Sequence, residues 1–229
     1  DGSLDTAFDS DGVATTDEIA GNSNAHDLAV QPDGKILASG FASTQPGGTD
    51  CYIARFGANG STDLTFGING VSRFPNTLNG GFGCLIELLP DGKFVLATTK
   101  INVASVKEFA VARFNSDGTL DTSFDLDGYT TTTVGTEIFS VYALKIQSDG
   151  KIVIVGEYTD PAQKHAIIRY NSDGTLDTSF NSGLGADKIV ESVIVQPDGK
   201  IVLGGRFLTF NGIVHNRIVR LNSDGSVDT

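Results

Sequence analysis

The chain has 229 residues, 39% of them apolar, enough to bury a sizeable core, and no apolar run near the 18 residues that a membrane helix needs. Sixteen basic residues stand against 28 acidic ones, a net charge of −12. That balance argues against nucleic acid and anionic membrane surfaces as partners.

Asp1-Gly-Ser-Leu-Asp-Thr-Ala-Phe8 opens the chain, and its phrase returns four times. A worn copy sits at Ala58–Phe66, the fullest at Asn115-Ser-Asp-Gly-Thr-Leu-Asp-Thr-Ser-Phe124, a near-identical one at Asn171–Phe180, and a shorter one at Asn222–Thr229. The phrase recurs at Asp1, Asn59, Asp117, Asp173 and Asp224. A second marker falls between the copies: Gln31-Pro-Asp-Gly-Lys35, Leu89-Pro-Asp-Gly-Lys93, Gln147-Ser-Asp-Gly-Lys151 and Gln196-Pro-Asp-Gly-Lys200. A fixed spacing of two markers means repeated structural units. The units run about 1–57, 58–114, 115–170 and 171–229, in one domain. Both markers have turn chemistry: proline suits the second position of a type I turn, glycine the left-handed residue after it. Asn115 is expected to bond its own backbone two residues on.

Unit one is expected to form strands at Gly12–Ile19, Asp27–Gln31, Lys35–Ala42 and Tyr52–Phe56, with a long loop at Gln45–Thr49. Unit two carries a glycine-rich stretch, Asn79–Gly83, ahead of its second strand. In unit three the strands are Tyr129–Val134, Ser140–Gln147, Lys151–Tyr158 and His165–Tyr170. Ile152-Val-Ile-Val155 is apolar throughout, as in a strand buried on both faces. Leu120 and Phe124, like Leu176 and Phe180 or Leu4 and Phe8, are spaced to drop into the core from one helical turn. Unit four is the shortest, and its third strand leads into the loop Arg206–Arg217. Four short strands in each repeat of fifty-odd residues describe a blade, so the chain reads as all-β: a β-propeller of four-stranded antiparallel blades, four in number. Separate small sandwiches are the weaker alternative, because each would need its own core.

The recurring Phe-x-x-Asp-Gly, Gln-Pro-Asp-Gly-Lys-Ile, Gly-Gly-Arg-Phe and Asn-Ser-Asp-Gly-x-x-Asp-Thr-Ser-Phe phrases together resemble the delta-60 repeat. That resemblance covers essentially the whole chain. It implies a propeller from bacterial secreted or surface proteins, without an assigned activity. A looser similarity links the chain to NHL-type propellers and the streptogramin lyase propeller.

Candidate chemistry is thin. The carboxylates at Asp117, Asp121, Asp125 and Asp127, echoed by Asp9 and Asp11, can hold Ca²⁺, yet turn chemistry accounts for the same letters. Arg55, Arg113, Arg169 and Arg220 each precede an Asp, at 63, 121, 177 and 228, so each guanidinium is expected to tie its strand to the following turn. Cys51 and Cys84 read as two buried apolar residues, with a disulfide the second choice. His26, His165 and His215 lie in three units at three positions and do not compose a zinc site. The loop aromatics Phe207 and Phe210, with His215 and Asn216, form the most ligand-like patch, but read as packing on their own blade.

No residue is therefore assigned as catalytic, cofactor-binding or metal-binding, and no cofactor is expected beyond the weak Ca²⁺ reading. The reading is a non-enzymatic, extracellular or cell-surface scaffold or adhesion module. A lyase- or hydrolase-type propeller enzyme working at the central channel and a glycan- or peptide-binding module are the alternatives. The chain lacks methionine and any signal-peptide pattern, so its first residue reads as a cleavage point or an excision. The expected partners are further propeller, in the same chain or in another copy, with a protein or glycan ligand.

Overall fold

A computed structural model describes residues 2–19, 23–44, 48–77, 83–101, 106–133, 137–159 and 165–229. The stretches expected to be loops at 45–47 and 79–82 lie outside these residues, as does the His165 side chain.

The chain is all-β. Blade 1 is β1 (Ser23–Val30), β2 (Ile36–Thr44), β3 (Gly48–Phe56) and β4 (Val71–Thr77). Blade 2 is β5 (Leu85–Leu88), β6 (Phe94–Ile101), β7 (Lys107–Phe114) and β8 (Tyr129–Thr132). In each, neighbouring strands pair antiparallel in sequence order. Blade 3 holds β9 (Glu137–Ile146), β10 (Ile152–Thr159) and β11 (His165–Tyr170). Blade 4 holds β12 (Val190–Val195), β13 (Ile201–Gly205), a hairpin of β14 (Thr209–Phe210) and β15 (Ile213–Val214), and then β16 (Ile218–Leu221), with the sheet order β12-β13-β16.

The outermost strand of a blade comes from the next repeat. Val71 pairs with Ala54 and Tyr129 with Ala112, so the start of each unit is stitched onto the third strand of the one before. This arrangement explains a difference from the strand expected at Gly12–Ile19. Residues 13–16 have no ladder partner among the described residues, because the third strand that such a segment joins belongs to the preceding unit. Unit four departs too. Its opening residues read Asn-Ser-Gly-Leu-Gly-Ala-Asp-Lys, poor in the β-branched and aromatic residues that strands favour. Instead of completing blade 3, Ala186 bridges to Phe210, and Asp187 accepts the Leu208 and Thr209 amides through Oδ1.

The first strands stand side by side: β1 packs by β5, β5 by β9 and β9 by β12. Alternation along the second strands fills the space between blades. Phe94 and Leu96 point into the cluster shared with blade 1, while Val95 and Ala97 point into the cluster shared with blade 3. Val153 and Val155 do the same towards blade 4. A continuous apolar run therefore follows from a strand with a neighbour on each face. Phe66, Phe94, Phe114 and Phe124 are fully buried there, each such ring contributing about 1.5–3 kcal/mol. Phe8, by contrast, is half-buried and Leu4 is 64% exposed.

Candidate functional site

The repeated polar letters bond first within their own turns. In the second marker, the Gly34 amide donates to the Gln31 carbonyl at 2.9 Å and the Asp33 carboxylate accepts the Lys35 amide. In the first, Asp117 Oδ1 accepts both the amide and the hydroxyl of Thr119, at 2.9 and 2.7 Å. The bond two residues on is thus made by Asp117. Asn115 reaches instead to the Thr119 hydroxyl. Those donors hold the Asp117 carboxyl below its ordinary range, and the same holds at Asp173 with Thr175 and Asp224 with Ser226. Asp11 and Asp127 accept the amides of Val13 and Tyr129. Asp9 and Asp125 sit at positive φ and dock their amides on the Asn59 and Asp173 carbonyls of the next turn. Gly118, at φ 88, stands where an added Cβ would come 2.9 Å from the Phe66 ring. Among the described residues no three His, Cys, Asp or Glu side chains gather as metal ligands.

The arginines do bond the predicted aspartates: Arg55 to Asp63, Arg113 to Asp121, Arg169 to Asp177 and Arg220 to Asp228. Each has a third member that the sequence reading missed. Lys35, Lys93, Lys151 and Lys200, the lysines closing the second marker, place Nζ within 2.7–3.0 Å of the same carboxylates. A lysine recurring after the Asp-Gly of every second marker was the available signal. Burial alone would push the Asp121 and Asp177 carboxyls up. The hydrogen bonds from Lys93, Ser123 and Arg113, and from Ser179, Lys151 and Arg169, overcome it and hold both well below the carboxylate range. Asp63 is held down chiefly by the Thr65 hydroxyl. The guanidinium also reaches the first-marker copy one repeat beyond the one that directly follows it. Arg55 donates to the Ser116 carbonyl, Arg113 to that of Ser172 at 2.6 Å, and Arg169 to that of Ser223. Each of these three also lies over the phenylalanine of the first-marker copy that directly follows it in sequence, Phe66, Phe124 or Phe180, at 4.4–4.9 Å. The network thus locks blade to blade.

Cys51 and Cys84 form a disulfide, correcting the preferred reading of two separate thiols. Their Cα atoms are 5.8 Å apart, and the bridge ties β3 to the entry of β5. The sequence hid it because the two cysteines occupy non-equivalent repeat positions that meet only across a blade interface. The two described histidine side chains meet different rings: His26 lies edge-on to Phe41, and His215 lies 6.5 Å from Phe210. Phe207 and Phe210 are fully buried in the core between blades 3 and 4.

What remains is not repeated, and it collects at one end of the first strands. Three of them carry a β-bulge at one place. His26, Tyr142 and Glu191 are the residues skipped between Ala25 and Asp27, Val141 and Ala143, and Val190 and Ser192. Opposite each bulge is a glycine: Gly40, Gly156 or Gly205. A bulge re-aims one side chain on an otherwise constant backbone. Each bulged side chain meets the residue that follows the opposing glycine. His26 meets Phe41, Tyr142 donates to Glu157 Oε2 at 2.7 Å, and Arg206 donates to Glu191 Oε1 at 2.6 Å. Burial and the Glu157 carboxylate push the Tyr142 phenol up to about 12. Alongside, a hollow of about 440 Å³ opens between β1, β5 and β9, holding Asp27 and the Glu87–Lys145 pair, 2.6 Å apart. Positions equivalent to Glu87 carry Ala29 and Ile194, so this charge pair belongs to one place only.

Comparison with known proteins agrees with this architecture. The model of a domain of unknown function, the DUF5122 beta-propeller, matches residues 31–66, 89–124, 147–180 and 196–229. The chain belongs to the DUF5122 β-propeller family. Each matched stretch starts at the second marker and runs through the first, so it takes in the Lys-Arg-Asp lock and its turns. No curated protein matches the chain. Among solved structures, a protein of unknown function from Dyadobacter fermentans DSM 18053 is similar, with TM-score 0.53 and 14% identity over 91% of this chain and 64% of that one. A glucose dehydrogenase is similar with TM-score 0.51 and 9% identity over 81% of this chain and 60% of that one. The DUF5122 chain thus spans less than two thirds of either, and at these identities the likeness is one of fold.

Proposed function

We propose that this DUF5122 chain is a non-enzymatic, extracellular interaction module that recognises a protein or glycan through the bulge end of its channel. One observation carries the reading. The repeated polar groups are spent on turns and blade locks, whereas the bulge position changes from blade to blade: His26, Cys84, Tyr142, Glu191. A fixed backbone that displays different side chains is how repeat proteins vary specificity without changing fold. The Cys51–Cys84 bridge supports an oxidising location.

A glycan array and a displayed peptide library, each probed with the intact chain, test this reading. Binding that Tyr142→Phe or Glu191→Gln weakens at least tenfold, and that Lys107→Ala at the other edge of a blade leaves unchanged, is the expected result. Absence of binding in both formats overturns it.

A second reading rests on the ionisable groups Tyr142, Glu157, Glu191 and Arg206, which cluster near one end of the channel. A lyase or hydrolase would need such an unlike set for proton transfer. Turnover of a glycan, lost in Glu157→Gln with the fold intact, would favour it over simple binding.

A further inference from the structure

The hollow between the first strands of blades 1, 2 and 3 takes its charges from residues that do not repeat. Asp27 stands where the other first strands have Leu85, Ala143 and Ser192. Glu87 and Lys145 share a position that Ala29 and Ile194 hold in the other two. Stacking of first strands does not need these charges, since β9 packs by β12 with Ile194 at that position. The volume, about 440 Å³, falls within the roughly 300–1,000 Å³ usual for small-molecule sites.

The carboxylates are held in place without being saturated. Asp27 accepts the Leu28 amide on Oδ1 and the Ile86 amide on Oδ2, both at 2.9 Å, so it is fixed to β1 and β5 at once. A carboxylate oxygen has two lone pairs, and a single amide leaves each one able to accept again. Glu87 accepts Lys145 Nζ on Oε2 at 2.6 Å, and among the described residues Oε1 has no donor. Lys145 therefore displays one group that the hollow takes: an ammonium on an alkyl stem. Much of the remaining lining is aliphatic, with Leu28, Leu85, Leu88 and Leu144 along it. Leucine walls offer nothing to the hydroxyls of a sugar, whose burial there would go uncompensated. With the mouth included, Asp27, Glu87, Glu157 and Glu191 stand against Lys145 and Arg206, four carboxylates to two cations. That excess draws cations and opposes anions.

We propose that the hollow binds an unbranched alkylammonium group, either the lysine side chain of a peptide or a free alkyl amine. The ammonium donates to Glu87 Oε1 and to Asp27, which the Ile86 amide holds one residue from Glu87 along β5. The methylenes lie on the leucines, as lysine stems do on apolar surface. Lys145 is then the resident competitor for Glu87. The inference rests on the reading of the channel end as a recognition site and names the group recognised there.

Calorimetric titration of the intact chain at low salt tests it, with Nα-acetyl-lysine amide and n-pentylamine as probes. Nα-acetyl-norleucine amide, which has the stem without the ammonium, should bind about tenfold more weakly than either, the loss of one hydrogen bond to a charged group. Tighter binding of the lysine amide than of pentylamine assigns the group to a peptide, and equal binding assigns it to a free amine. Glu87→Gln should weaken both amines about tenfold on the same ground. Lys145→Met removes the competitor and should tighten them. Amines that bind no better than the norleucine amide overturn the inference, and so does a folded Lys145→Met chain that binds them no more tightly than the wild type. Binding in the glycan array or peptide library that Glu87→Gln leaves unchanged, with the amines silent, overturns this inference alone and leaves the channel end a recognition site. Silence in every format overturns both.

Discussion

Lys93 sets its ammonium 2.7 Å from Oδ2 of Asp121, 28 residues further along the chain, on the oxygen that Arg113 also holds. The carboxylate is 5% exposed, so it cannot turn to water if its partners go. Removing one member of such a buried set leaves the others uncompensated, at a cost of about 3–5 kcal/mol. Asp121→Ala should therefore lower the urea unfolding free energy by about 3 kcal/mol or more. Lys93→Met, whose ammonium is partly exposed, should cost only about 1 kcal/mol, because Arg113 still neutralises the charge. Equal losses in the two variants would mean that the lysine, not the arginine, is the anchor.

The same carboxylates set the acid response. Asp121 and Asp177 are held below their ordinary range by Lys, Ser and Arg donors, and Asp63 by Thr65, so the folded chain binds protons less readily than the unfolded one. Their stabilisation is complete above the unfolded carboxylate value of about 3.9 and is lost as pH falls below it, towards the depressed folded values. The melting temperature followed from pH 7 down to pH 2 should hold steady through the upper half of the range and drop steeply below about pH 4. A flat profile through the acid limb would contradict the lock.

Much of this was legible in the letters, for a definable reason. Turns and locks recur, so the Asp-Gly markers and the Arg55–Asp63 type of pair could be read by comparing units with one another. The unbroken apolar run Ile152–Val155 gave the two buried faces. Comparing units fails where a residue is unlike its equivalents. Cys51 and Cys84 meet across an interface from non-equivalent positions. Tyr142 and Glu191 acquire their place only through a bulge, and a bulge is a relation between two strands that neither strand shows alone. The outer strand of each blade was assigned to its own unit because sequence order does not say which sheet a strand joins.

The Cys51–Cys84 bridge closes a loop of 33 residues between two blades. In the chain-entropy model, a loop of that size restricts the unfolded state by about 4 kcal/mol. Cys51→Ala/Cys84→Ala should lose that order of stability in denaturant titration while keeping a β-rich circular dichroism spectrum. The untreated protein should show no reactive thiol even when unfolded. One thiol or two, appearing on unfolding without reductant, would remove the bridge and the support it lends to an oxidising location.

The bulge depends on Gly40 and its equivalents. A Cβ at Gly40 would lie 1.8 Å from the Asn24 carbonyl oxygen, and one at Gly205 would lie 2.2 Å from that of Ile189. Neither contact can relax through a side chain, since the obstacle is backbone. Blade 2 has Thr98 at this place and no bulge: β5 enters its ladder only at Leu85, after Cys84. Gly40→Ala should consequently cost about 3 kcal/mol or somewhat more, at the upper end for overpacking. It should also turn His26 away from Phe41, which the imidazole proton shifts of His26 would register as loss of the ring current. Thr98→Gly, in the blade without a bulge, should cost only about 1 kcal/mol through added freedom of the unfolded chain and a lost strand side chain. If Gly40→Ala were tolerated as well as Thr98→Gly, the close approach that aims the bulge residues would not exist, and the channel end would lose its claim to be a built site.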